Sequence, residues 1–120
     1  MLNSINIQGR LTKDPDLRHT QNGKAVASFT LAVDRDFGDK ITDFIDCVAW
    51  SNTAEFISKY FAKGQLATVT GRLQFRDWQD KDGNNRRNAE VLVASIYFCE
   101  KKNSPVMVEV DEDDGDLPWN

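Results

Sequence analysis

The sequence predicts an all-β fold: a five-stranded Greek-key barrel with one α-helix between its third and fourth strands, followed by a disordered acidic C-terminal tail. Three observations lead there. Most of the chain alternates apolar and polar residues with period two, and a single segment switches to helical spacing. The last strand-like run is apolar on both faces. A chain of 120 residues leaves room for one domain with a proper core and little for a second.

In INIQGRL, Ile5, Ile7, Gly9 and Leu11 alternate with Asn6, Gln8 and Arg10, which marks a half-buried first strand. DPDLRHTQNGKA follows as a turn-rich connection, with Asn22-Gly23 its strongest tight-turn signal. The second strand is AVASFTLAVD, with Ala27, Phe29, Leu31 and Val33 on one face, and Asp34 to Lys40 is its outgoing loop. The third strand runs from Ile41 to Trp50. The period then changes: Ala54, Ile57, Tyr60 and Phe61 stand three and four apart, Ser51 or Asn52 is placed to cap the start, and Gly64 to stop the segment. One amphipathic helix of about three turns fits. QLATVTGRLQFRDWQ is the fourth strand, DKDGNN a loop, and RRNAEVLVASIYFCE the fifth strand, whose two-sided apolarity predicts the barrel core on one side and a second subunit on the other. Three strands, a helix and two strands is the order of the OB-fold, a small, partly open barrel. Residues 1–102 are expected to form this domain, 103–110 a short linker, and 111–120 an acidic tip.

The formal charge of −4 argues at first against a nucleic-acid partner. Its distribution reverses that conclusion. Six of the 19 acidic residues lie from Glu109 onward with none of the 15 basic ones, which leaves a body of 15 basic against 13 acidic side chains. No apolar run is long enough to cross a bilayer, and MLNSINIQGR lacks the order of a signal peptide, so a cytoplasmic location is expected. Cys47 and Cys99 stand apart, without the spacing of a zinc site, and are expected to be reduced and buried. The sole histidine, His19, falls in the turn-rich connection. Neither a catalytic triad order nor a phosphate-cradling glycine loop occurs. Asp34, Asp36, Asp43 and Asp46 are the acids from which a metal-dependent nuclease would be built, but loop and strand-edge acids are commonly just solvated. A binding protein without cofactor or metal is expected.

Strand parity locates the binding face. Ala67, Val69, Gly71, Leu73 and Phe75 point one way along the fourth strand, and Arg72, Gln74, Arg76 and Trp78 the other. In the third strand, Phe44 and Trp50 share parity with Asp46 and Val48. Phe37 stands beside Arg35 in one loop, and Arg86-Arg87 ends another. Rings interleaved with cations suit sequence-tolerant binding of single-stranded nucleic acid: each base offers a flat face to stack on, and each nucleotide carries a phosphate. The same spacing also fits a solvated strand edge, or an OB-fold module for protein or RNA without a DNA role.

Gly9-Arg10-Leu11-Thr12-Lys13-Asp14-Pro15, Asn22-Gly23-Lys24-Ala25-Val26-Ala27, Lys63-Gly64, Thr70-Gly71-Arg72-Leu73 and the ending Asp116-Leu117-Pro118 together resemble the bacterial and phage single-stranded DNA-binding protein family. The resemblance covers nearly the whole chain. It implies a homotetramer that wraps single-stranded DNA in replication, recombination and repair, in the bacterial cytoplasm or nucleoid or in a phage-infected cell, with stacking at Phe37, Phe44, Trp50 and Trp78. Phosphate contacts beside these rings are expected from Arg10, Arg35, Arg72, Arg76 and Arg86. It also implies that Asp113, Asp114, Asp116, Leu117, Pro118 and Trp119 dock on partner enzymes. The family's tip usually ends in Pro-Phe with a free carboxylate, whereas here Trp119 takes that place and Asn120 follows.

Overall fold

A computed structural model of the chain describes residues 1–38 and 40–99. The linker and the acidic tip, with its expected partner-binding residues, lie outside them. The elements in chain order are β1 (Ile5–Leu11), β2 (Asp16–His19), β3 (Ala25–Asp34), β4 (Thr42–Trp50), α1 (Ser51–Tyr60), β5 (Leu66–Gln79) and β6 (Asn85–Phe98). The sheet order is β1-β5-β6-β4-β3-β2, and an additional β1–β3 pairing, Arg10 with Ala32 and Leu11 with Leu31, closes five of these strands into a ring. All neighbours are antiparallel except β4 and β6, which run parallel through Cys47–Val91 and Val48–Leu92. This is the expected barrel.

Alternation builds the core. Leu11, Leu31, Val69 and Val91 point into the ring and are almost wholly buried, with Ala27, Phe29, Ala49 and Ala67 among them. Helix α1 covers one end of the barrel with Ala54 and Ile57, and Phe61 follows just beyond it; all three are buried. Burying a side chain the size of Ile57 contributes about 2 kcal/mol. At Gly9, where β1 meets β3, an added Cβ would lie 2.6 Å from the Ala32 carbonyl oxygen, so a side chain there would force open the closure of the ring.

Four expectations need correction. The DPDLRHTQNGKA connection contains a short strand, β2, paired with Ala25–Ser28 of β3, and His19 lies in it rather than in a turn. Neither Ser51 nor Asn52 caps the helix. β4 runs into α1 without a linker, so Trp50 occupies the cap position in extended conformation with no side-chain capping bond, and Ser51 turns the corner at φ 56°. A non-glycine residue there costs about 1 kcal/mol. Residues expected in the Asp80 to Arg87 loop continue the strands: Trp78 pairs with Arg86 and Gln79 with Asn85, leaving Asp80–Asn84 as the turn, where the Asp80 carboxylate accepts the amides of Asp82 and Asn84. Cys99 is only half-buried, its sulfur 2.9 Å from Thr68 Oγ1, whereas Cys47 is buried as expected. Burial, followed by the nearby charges of Asp46 and Glu90, pushes the Cys47 thiol up to about 12. Alkylation of the native protein near pH 8 is therefore expected at Cys99 and not at Cys47, which should react only after unfolding. Peptide mass mapping with iodoacetamide checks this, and native labelling of Cys47 would contradict its buried, protonated state.

Candidate nucleic-acid interface

Strand register assembles the outer face of the barrel row by row. Arg72 of β5 pairs with Leu92 of β6, Leu92 with Val48 of β4, and Val48 with Ser28 of β3. Paired residues in a sheet share a face, so this row places Arg72 and Val48 on the same surface. Period-two alternation then carries the surface along each strand. On β4 it presents Phe44, Asp46 and Trp50; on β5, Gln74, Arg76 and Trp78; on β6, Arg86, Asn88 and Glu90. At the far side Phe44 pairs with Ala32, which pairs with Arg10. Of the nine residues expected to meet DNA, Phe44, Trp50, Trp78, Arg10, Arg72, Arg76 and Arg86 thus share one curved face. Phe37 and Arg35 stand in the loop between β3 and β4 that borders it.

Beyond Leu73, whose partner Val91 is the last residue of β6 paired with β4, β5 and β6 leave the barrel as a two-stranded ribbon carrying Trp78 near its tip. The rings are available to a ligand rather than packed in the core: Phe44 is 68% exposed, Trp50 42%, Trp78 44% and Phe37 90%. The Trp78 indole Nε1 donates to Asn88 Oδ1 at 3.1 Å, which fixes the ring across the ribbon while leaving it open to solvent. On the opposite face of the ribbon, Leu73 and Phe75 share the parity of the core strand but outrun the core and are exposed; the Arg87 guanidinium lies 6.0 Å from the Phe75 ring.

The cations differ in readiness. Arg35 is held by Asp43 through two 3.0 Å bonds, Arg86 by Asp80 at 2.9 Å, and Arg76 by Glu90 at 3.3 Å. The Arg35 hydrogen bond holds the Asp43 carboxyl below the ordinary carboxylate range, and Asp43 in return raises the guanidinium. Asp77 is lowered in the same way by Arg87. Asp80 is lowered chiefly by the Asn84 amide, with Arg86 adding to the effect. Such exposed pairs contribute only about 0–1 kcal/mol, so an incoming phosphate can displace the carboxylate. Arg10 donates to the Gly64 carbonyl at 3.0 Å. Arg72 makes no ion pair among the described residues. Replacing Arg72 with alanine is therefore expected to lower the slope of log affinity against log salt by about one, as loss of one phosphate contact does. Binding isotherms at four salt concentrations measure this, and an unchanged slope would remove Arg72 from the phosphate contacts.

Two members of this face escape sequence reasoning. Asn88 orients Trp78, and Glu90, nearly buried, accepts from Gln74 Nε2 at 2.7 Å as well as from Arg76. Both lie on β6, where nothing in the residue pattern sets which side chain meets which on β5. The acids suggestive of a metal site do not converge: Asp34 accepts from Thr42, Asp43 from Arg35 and Asp46 from Thr30. Among the described residues no group of three or more His, Cys, Asp or Glu could hold a metal ion, and no helix is long and apolar enough to cross a membrane.

Comparison with known proteins agrees with this geometry. The model of the Single-strand binding protein family matches residues 2–99. The chain is 50% identical over 107 residues to a single-stranded DNA-binding protein of Bacillus cereus, covering 86% of this chain and 63% of that protein. It is 49% identical over 107 residues to single-stranded DNA-binding protein A of Bacillus subtilis, at 86% and 62% coverage. With single-stranded DNA-binding protein 2 of Listeria monocytogenes it shares 47% identity over 110 residues, at 88% and 69%. It thus spans a little under two thirds of the two Bacillus proteins. Every described strand lies within the matched residues, and the chain belongs to the single-strand binding protein family.

Proposed function

We propose that the protein binds single-stranded DNA without sequence preference and protects it during replication, recombination and repair, and that it catalyses no reaction and requires no cofactor. The observation that carries this reading is the register that sets Phe44, Trp50 and Trp78 on one exposed face with Arg10, Arg72, Arg76 and Arg86. Stacking supplies affinity for any base, and the arginines meet the phosphates. The curved face continues from the barrel onto the ribbon, which gives a strand a path longer than one nucleotide. Assembly as a homotetramer, and recruitment of replication, recombination and repair enzymes through Asp113, Asp114, Asp116, Leu117, Pro118 and Trp119, are parts of the same proposal. They rest on family membership and on the tip's acidic run beside the apolar Leu117-Pro118-Trp119.

Titration with oligo(dT) at low salt tests it. Tryptophan fluorescence is expected to be quenched as bases stack on Trp50 and Trp78, with affinity falling linearly in log salt as counterions are released. Fluorescence and labelled-oligonucleotide anisotropy that both stay flat at low salt would sink the reading. Tighter binding of oligo(U) than of oligo(dT) would convert it to an RNA function.

A further inference from the structure

Most acids on and around the binding face have a cation beside them. On the face itself Glu90 has its oxygens occupied by Arg76 and Gln74; Asp80 in the ribbon turn faces Arg86, Asp77 on the ribbon's opposite face Arg87, and Asp43, of the opposite parity on β4, Arg35. Asp46 differs. It is exposed, has no cation partner among the described residues, and accepts one bond, from Thr30 Oγ1 to Oδ1 at 3.0 Å. A carboxylate has about four acceptor positions, so most of this one's capacity points to solvent. Its location is what matters. Asp46 follows Phe44 by two residues on the same face, about 7 Å along the strand, and its neighbour on the other side is Val48, in one row with Arg72.

A bare carboxylate between a stacking ring and a phosphate-binding arginine repels the phosphate path, so the backbone runs past it on the arginine side. What then faces Asp46 is the edge of a base stacked on Phe44. We propose that Asp46 is a base-edge acceptor that gives this face a preference for bases bearing an exocyclic amine, cytosine foremost. This rests on the single-strand binding proposed above. Cytosine N4 presents two amine hydrogens at its outer edge, and a carboxylate accepts from them. Thymine offers one ring N–H, flanked by two carbonyl oxygens that repel the same carboxylate. Binding thereby remains tolerant of sequence, because the other rings stack any base, but it is graded at this one position.

The test compares labelled oligo(dC) and oligo(dT) of equal length, at one salt concentration and neutral pH, binding to the full chain and to its Asp46→Asn and Asp46→Ala variants. Both substitutions remove a negative charge, which favours the two homopolymers alike, and the ratio between them cancels that effect; oligo(dT) should bind more tightly, whereas oligo(dC) also loses its bond to the carboxylate. In Asp46→Asn the amide keeps an acceptor for Thr30 and offers a donor to thymine O4. The dC:dT affinity ratio is expected to fall roughly tenfold, the size of one charge-assisted hydrogen bond. Asp46→Ala should lower the ratio less, since it supplies no new donor. A ratio unchanged within twofold in both variants would overturn the proposal and leave single-strand binding standing. Failure of the wild-type chain to bind either homopolymer would overturn both together.

Discussion

Replacing Trp50 and Trp78 together with alanine is expected to lower affinity for oligo(dT) by two orders of magnitude or more at fixed salt. Each stacking ring is worth about 1–3 kcal/mol per base, and 1.4 kcal/mol is tenfold in affinity. The two rings occupy separate places: Trp50 ends β4 at the helix, Trp78 stands near the tip of the ribbon, and no ring contact joins them among the described residues. They therefore stack different bases, and losses at independent sites add. The slope with salt should stay as it is, because neither ring touches a phosphate. Anisotropy of a labelled oligonucleotide is the suitable measurement, since the substitutions remove the two tryptophans whose quenching would report binding and leave only Trp119 of the three. Trp50 also occupies the cap position of α1, so a thermal melt must accompany the titration. With the fold intact, an affinity within threefold of wild type would remove base stacking as the source of binding.

How much of this site is visible in the residue pattern differs strand by strand. On β4 the alternation Phe44, Asp46, Val48, Trp50 is enough to predict a common face, because a single strand's parity is local and needs no partner. The same holds for Arg72, Gln74, Arg76 and Trp78 on β5. What parity leaves open is whether a face is covered. Leu73 and Phe75 have the parity of Val69, which is completely buried, yet Phe75 is 60% exposed because the ribbon extends past the barrel wall. Core and solvent are defined by the other strands, and a pattern of two cannot report where the barrel ends. The ion pairs Arg76–Glu90 and Arg86–Asp80 are hidden for a related reason: they depend on the cross-strand register, which shifts at a bulge. The helix start is not legible at Ser51 because capping preferences assume a preceding loop, and here a strand arrives instead.

Gly71→Ala is expected to destabilise the protein by about 3 kcal/mol, at the upper end of what overpacking costs. A Cβ at Gly71 would run into the Leu92 carbonyl oxygen and lie 3.0 Å from its carbonyl carbon and 3.2 Å from the Ala94 amide nitrogen. All three are backbone atoms, so no rotamer change relieves the clash. The crowding follows from the bulge: Thr70 pairs with Ser95 but Gly71 pairs with Val93, so β6 inserts Ala94 there and its backbone passes over the glycine. Relief requires separating the strands at the next row, Arg72–Leu92, which also carries one of the two parallel pairings to β4 seen among the described residues, Leu92 with Val48. For a domain near this size the loss corresponds to a fall of roughly 15 °C in Tm, measured at constant protein concentration. The ribbon leaves the barrel just beyond the two rows that follow the bulge, so the bulge helps to set the direction in which Trp78 is presented. Where the variant is still folded, at low temperature, binding of oligo(dT) should weaken although no stacking ring has been touched. A melting temperature within about 3 °C of wild type would show that the two backbones can separate at low cost, and the bulge would then lose its role as the rigid base of the ribbon.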